Sequence, residues 1–328
     1  DASLLGFMQP RTLVVTPVYC TRENQRLPLL LQCLYWVQHQ TDQNCIHVVV
    51  DDGSTDASGE ILDRIASRSE RLQVYHQSNK GSSAAVNFGV EQALKKYTPE
   101  FITISHSDDV LPPKSLEIRV DAARNTRAKM IYGDTIMLRE VPPLGAFMFK
   151  APQFTRGSEL YHSLLSHRSI PYPTMLWDRD FFVDTLQGYD SEITSAEDWD
   201  IALRSAREFE GKEGLFTCIP KVSAICRQHE HNLWIENVRN GVRKRCCKVI
   251  LAKHLKGFAY QSELVKWSIQ GGLRIARNVL PEYIKAPLRF IKRGFFPPEI
   301  QTIDSEDRDF LKEVGIVDYN RYFEFAVA

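Results

Sequence analysis

Adjacent acidic residues mark three places where this sequence could do chemistry: Asp108-Asp109, Asp51-Asp52 and Glu197-Asp198. Asp108 and Asp109 follow an apolar run at 101–104 and precede Pro112-Pro113. Two neighbouring carboxylates repel each other when both are ionised, and a cation removes that cost. Hard oxygen donors suit Mg2+ or Mn2+, and such an ion can bridge a diphosphate and stabilise charge on a leaving group. Asp51-Asp52 opens the run Asp-Asp-Gly-Ser-Thr-Asp. Carboxylates at a strand end accept hydrogen bonds from a nucleobase N–H or from ribose hydroxyls. A turn explains Gly53 and a helix cap explains Asp56, but neither explains two carboxylates together. Glu197-Asp198 falls in the first turn of an expected helix, where the dipole favours acids. A carboxylate there can also take the proton of an attacking hydroxyl. Asp108-Asp109 as a solvated turn and Glu197-Asp198 as an acidic first helical turn each have an ordinary structural explanation alone; their occurrence together with Asp51-Asp52 is what needs another.

The elements that must position these residues follow from hydrophobic periodicity. Strands are expected at 13–15, 46–50, 72–75 and 101–104. Helices are expected between them: one with Pro28 near its start and Leu27, Leu30, Leu34 and Val37 on one face, one capped by Asp56 with Ile61, Leu62 and Ile65 inward, and one over 82–96. Strands alternating with helices argue for an α/β fold, a mostly parallel sheet flanked by helices. Ligands in such sheets bind beyond the carboxyl ends of the strands. Those ends carry Pro17 and Tyr19, Asp51 and Asp52, Asn79-Lys80-Gly81, and Asp108-Asp109. Further along, helices are expected at 157–165 and 196–209, and two short strands at 216–219 and 222–226.

Composition narrows the class. The 328 residues are 43% hydrophobic and 25% charged, with 41 basic and 41 acidic side chains. That balance offers no overall field for nucleic acid. The seven cysteines form no CxxC pair, which reads as free thiols in a reducing, cytoplasmic setting. Neither a signal peptide nor an apolar run of about 18 residues, the minimum for a membrane span, is expected. The first residue is Asp1 rather than Met, as in a piece of a longer chain.

The order and spacing of these motifs resemble family 2 glycosyltransferases of the GT-A fold. The resemblance rests on Pro17-Val18-Tyr19, on 51–56, on Asn79-Lys80-Gly81 with Asn87 and Gly89, and on Asp108-Asp109. It continues through Leu186-Gln187-Gly188-Tyr189-Asp190, through 195–200 with Leu203-Arg204, and through Arg227-Gln228-His229 with Asn232, so that it covers roughly residues 11 to 235. It implies an inverting transferase that uses a nucleotide-sugar donor, UDP favoured, and a divalent metal, Mn2+ or Mg2+. By the same resemblance Tyr19 packs on the base and Asp52 hydrogen-bonds it, with Pro17, Asp51, Asn79 and Gly81 around them. Lys80 lies near the diphosphate, Asp108 near the ribose and the metal, and Asp109 ligates the metal. His229 is a third ligand or phosphate contact, Asp198 is the general base, and Glu197 beside it caps the helix or binds the acceptor. Two positions depart from the family pattern: Cys20 stands where Asn is usual, and His106 where the metal motif usually begins with Asp. His106 is either a ligand or a weakening of the metal site.

The expected organisation is a GT-A catalytic domain over 1–235, with a donor half at 11–135 and an acceptor half at 136–235, followed by a helical, basic C-terminal extension over 236–328. Basic and aromatic residues alternate between Lys266 and Phe296, a pattern that suits either a solvated helical face packed on the domain or an anionic membrane surface. The acceptor is expected to be a glycan or lipid-linked glycan in bacterial surface polysaccharide synthesis. A nucleotide-sugar-binding homologue without catalysis is the competing reading, kept by His106.

Overall fold

A computed structural model describes residues 9–141, 145–166, 170–257 and 260–262. The basic stretch from Lys266 to Phe296 lies outside the described residues. Strands β1 (Thr12–Val18), β2 (Cys45–Asp51), β3 (Leu72–His76) and β4 (Phe101–Ile104) alternate with helices α1 (Leu27–Gln38), α2 (Ser58–Ala66) and α3 (Ser82–Leu94), and α4 (Ser115–Thr126) follows β4. β2 pairs in parallel with β1 and β3, and β1 with β4. Both β1 and β2 are buried along their whole length, as β-branched runs are when helices cover both faces of a parallel sheet.

Alternate side chains of these strands serve opposite layers. Leu13, Val15, Ile46, Val48 and Val50 pack with Ala85, Val86 and Val90 of α3. On the other face Val18 and Val49 pack with Leu30, Leu31 and Leu34 of α1 and with Leu62 and Ile65 of α2. The α3 helix comes very close to the sheet at Gly89, where an added Cβ would lie 2.8 Å from Val50 Cγ2 and 2.9 Å from Val15 Cγ1. Gly89→Ala therefore lowers stability by about 1–3 kcal/mol, the usual cost of overpacking. The check is a lower denaturant midpoint at an unchanged m value.

The second part of the chain extends the same sheet to eight strands. β5 (Met130–Arg139) pairs antiparallel with β6 (Gly145–Phe149) and, at Met130 and Ile131, with β7 (Leu176–Asp178). β7 also pairs antiparallel with β4, which stitches the two parts together. α5 (Gly157–Leu165) and α6 (Glu197–Glu208) pack side by side, and Trp199 Nε1 of α6 donates to the Leu164 carbonyl at 3.0 Å. β8 (Phe216–Gln228) runs parallel to β5. The sequence suggests two short strands here, but the structure has one. Pro220 cannot donate to a ladder, and the chain bulges past it, so that Gly133 faces Ile219 and Asp134 faces Val222. α7 (Leu233–Arg239) and α8 (Val242–His254) close the described chain, and Cys246, Cys247, Ile250 and Leu251 of α8 are buried in the main core.

The expected cap of α2 also shifts. Asp56 accepts the Ser58 N–H at 2.9 Å, but Ala57 holds the cap position, so the carboxylate acts from one residue further out. No helix among the described residues is long and apolar enough to cross a membrane.

Candidate active site

The site forms where the ends of β1, β2, β4 and β8 meet the start of α6. At the end of β4 the chain turns sharply, with the Asp109 N–H donating to the His106 carbonyl at 3.0 Å. That turn brings a ring nitrogen of His106 and carboxylate oxygens of Asp108 and Asp109 within 4.8 Å of one another. The Arg227 N–H at the end of β8 donates to Asp109 Oδ1 at 3.2 Å. His229 Nε2 lies 3.1 Å from Asp108 Oδ2, so His229 joins the cluster through Asp108.

Electrostatics separate the two aspartates. Burial and the Asp108 charge raise the Asp109 pKa. Burial acts upward on Asp108 too, but the His229 hydrogen bond and the charges of Arg26 and His229 hold it well below the usual carboxylate range. Like charge this close is costly without a counter-ion. One imidazole and two carboxylates form a donor set that fits Mn2+ well, since carboxylate oxygens suit it and a ring nitrogen is tolerated by a transition metal. The residues present therefore fit a divalent metal, with His106 inside the cluster and His229 positioned to orient Asp108, as outer imidazole–carboxylate pairs do.

At the end of β2, Asp52 is 3% exposed and its carboxylate organises the neighbouring loop. Oδ1 accepts from Gln77 Nε2 at 2.7 Å and from the Lys80 N–H at 2.8 Å, and Oδ2 accepts from the Gly81 N–H at 2.8 Å. Asp51 accepts the Ser54 N–H at 2.9 Å through Oδ1 and contacts His76 Nδ1 at 2.9 Å through Oδ2. Pro17 is buried within β1, Tyr19 just beyond it is 39% exposed, and Asn79 and Lys80 are exposed. Cys20, in place of the usual Asn, is buried and donates its N–H to Ser54 Oγ at 2.9 Å. Burial pushes its thiol up to about 11, so it is a neutral packing group.

On the opposite side stands Asp198. Its Oδ1 accepts the Tyr189 hydroxyl at 2.9 Å and lies 3.7 Å from His106 Nε2. Burial would raise its pKa, but His106, the Tyr189 hydroxyl and the Arg243 charge bring it below the ordinary value. Burial and the Asp198 charge raise Glu197 instead. Two adjacent acids are thus pushed apart, which leaves Asp198 as the one kept ionised. For His106, burial acts downward, but the nearby Asp198 charge lifts it to about 10, so without metal the ring is cationic and would ligate an ion only on losing a proton.

Two non-glycine residues flank this carboxylate in the left-handed region, Gln187 at φ +56° and Ala196 at φ +66°. Each costs roughly 1–2 kcal/mol, and such strain gathers at functional sites. Sequence reasoning gave no role to Tyr189, Arg26, Gln77 or Arg204. Arg26 Nη2 donates to the His231 carbonyl at 2.7 Å, and its charge acts on Asp108. None of these contacts leaves a periodic signal, because each joins residues far apart in the chain or turns on a side chain's direction.

Residues 14–161 match the family model described as glycosyl transferase family 2, so that part of the chain is similar to that family. Among curated proteins it is 37% identical over 122 residues to the glycosyltransferase GlyG of Streptococcus pneumoniae. The match covers 37% of this chain, which spans only 38% of that relative's length. Among solved structures, S. aureus TarS (residues 1–349) superposes with a TM-score of 0.55 at 18% identity, over 82% of this chain and 73% of that one. The mannosyltransferase PcManGT from Pyrobaculum calidifontis superposes at 0.51 and 15% identity, over 98% of this chain and 87% of that one. The likeness to both is one of fold, and the fold is GT-A.

Proposed function

We propose that this chain is an inverting glycosyltransferase that moves a hexose or N-acetylhexosamine from a nucleotide-diphosphate sugar to a hydroxyl of a glycan or lipid-linked glycan. The observation that carries the reading is the bridge made by His106. Its imidazole belongs to the acidic cluster with Asp108 and Asp109 and lies 3.7 Å from Asp198 Oδ1. A metal-type site and an ionised carboxylate thus stand side by side, as a leaving diphosphate and an attacking hydroxyl require.

In this mechanism a bound divalent ion supplies charge stabilisation to the departing diphosphate. Asp108 and Asp109 would hold it, with His106 completing the set and His229 orienting Asp108. Tyr19 covers the base, and Asp52 faces it while fixing the Lys80-Gly81 backbone near the diphosphate; Pro17, Asp51 and Asn79 shape the same wall. Asp198 takes the acceptor proton as the hydroxyl oxygen bonds to the anomeric carbon, and the old carbon–oxygen bond breaks with its electron pair leaving on the diphosphate. Glu197 lines the acceptor side. Attack opposite the leaving group inverts the anomeric centre.

A UDP donor is supported by the UDP and UDP-GlcNAc complexes of TarS, and Mn2+ by the GDP-Man and Mn2+ complex of PcManGT. We assign the catalytic domain to 1–235, with the remainder as an extension, and the work to the cytoplasm in bacterial surface polysaccharide synthesis. Calorimetric titration of UDP, GDP and dTDP, with and without Mn2+, tests the donor side. Metal-dependent binding of one nucleotide is the expected result; a folded protein that binds none of them sinks the proposal.

A further inference from the structure

The turn before α6 is held far more tightly than a surface turn needs to be. From α3, Asn87 Nδ2 donates to the Tyr189 carbonyl at 2.7 Å, and the Tyr189 N–H donates back to Asn87 Oδ1 at 2.9 Å. From α6, Arg204 Nη1 donates to the Leu186 carbonyl at 2.6 Å and Nη2 to the Gly188 carbonyl at 2.9 Å. Arg204 is itself aimed by Asp200, whose Oδ2 accepts from Nε at 2.7 Å and which is 1% exposed. The turn follows a left-handed course through Gln187 and Gly188, at φ +56° and +71°. A Cβ on Gly188 would lie 2.5 Å from Asn87 Oδ1, so the clamp needs glycine there. Two helices thus spend four hydrogen-bonding groups on one short backbone segment, and the side chain that segment delivers is Tyr189.

Tyr189 is 4% exposed, and its ring packs near Phe182. Its hydroxyl reaches Asp198 Oδ1 at 2.9 Å, the same oxygen that faces His106. We infer that Tyr189 is a positioning residue: it pins Oδ1 of Asp198 and turns Oδ2 toward the acceptor as the oxygen that receives the proton, and the clamp by Asn87 and Arg204 exists to hold it there. This rests on the reading of Asp198 as the base.

The physical case is one of orientation. A carboxylate on a short side chain rotates freely about its last bond unless one oxygen is tied, and misplacement by about 1 Å can cost 10²-fold in rate. Burial and the Asp198 charge push the phenol's pKa well above the usual value, which keeps it a donor. The tie is held by the fold, whereas a water in its place would exchange.

The test uses the purified chain with Mn2+ and UDP-GlcNAc, following UDP release as water takes the place of the acceptor. Tyr189→Phe keeps the ring and removes only the hydroxyl. It is expected to lower kcat about tenfold, the worth of one hydrogen bond to a charged group, with KM and calorimetric UDP affinity unchanged. Full kcat in Tyr189→Phe, while Asp198→Asn is inactive, overturns the inference and spares the base. Equal rates in Asp198→Asn and wild type sink the base reading itself. A second measurement needs no turnover. In protein labelled at tyrosine Cζ, the carbon-13 signal missing in Tyr189→Phe identifies Tyr189, and that signal shifts in Asp198→Asn if the phenol donates to this carboxylate. An unmoved signal overturns the inference.

Discussion

In Asp198→Asn, sugar transfer falls by about 10²- to 10⁴-fold, the usual contribution of a positioned general base, while nucleotide affinity stays at the wild-type value. Asparagine has the same shape, and its amide oxygen still accepts the Tyr189 hydroxyl, which reaches Oδ1 at 2.9 Å. What it loses is the capacity to take a proton. Donor affinity is preserved because the donor side is built separately, around Asp52 and the Lys80-Gly81 backbone that it holds at 2.8 Å. The acidic first turn of α6 retains Glu197 and Asp200, so the dipole contribution lost is only about 0.3–1 kcal/mol. Initial-rate kinetics alongside calorimetry separate the two effects. Loss of nucleotide binding together with turnover would show that the residue holds the structure rather than the proton.

Asp109→Asn has effects of opposite sign without and with metal. Without metal, the Asp108 carboxylate opposes the Asp109 charge, and burial adds to the cost. Removing that charge relieves the burial cost and the repulsion, by on the order of 1.4 kcal/mol for each pKa unit of the upward shift. The metal-free variant is therefore more stable than wild type, and the Arg227 N–H that donates to Asp109 Oδ1 at 3.2 Å keeps an oxygen acceptor. With Mn2+ the order reverses. A ligand at a hundred times its Kd stabilises the native state by about 2.7 kcal/mol, and the variant forfeits that gain. Thermal melts with and without MnCl2 read both halves. An equal Mn2+-induced shift in the two proteins would remove Asp109 from the ligand set.

The parts of this molecule that repeat were readable from its sequence. The β-branched runs of β1 and β2 announced strands buried on both sides, and the spacing of Leu30, Leu34, Leu62 and Ile65 fixed the inner faces of α1 and α2. Gly53, Asp56 and the acidic pairs marked the strand ends because loops carry few other reasons for such residues. The contacts that tie those ends together were not readable. Nothing in the spacing of Asn87, Gly188 and Arg204 says that they grip one turn, since those contacts cross 102 and 16 positions of chain. The two short strands expected at 216–219 and 222–226 are one strand, because a bulge carries the ladder past Pro220. His106 looked like a departure from a motif, and its place between Asp109 and Asp198 depends on the turn after β4, which only coordinates reveal.

The parallel ladder between β5 and β8 sets an order of events during synthesis. The strands on either side of it are distant in the chain, and His229 meets Asp108 across 121 positions. Translation adds about 5–20 residues per second, so roughly 6–24 s separate the appearance of these two side chains. For that interval the nascent chain carries its acidic pair without the imidazole and without the Arg227 N–H that later engage it. β1 to β4 precede β8 by more than a hundred residues, yet the cluster at the end of β4 is completed only when the ribosome has delivered the end of β8. A truncation before that point would leave β5 without its parallel neighbour, and Asp108 and Asp109 without the His229 and Arg227 groups that engage them.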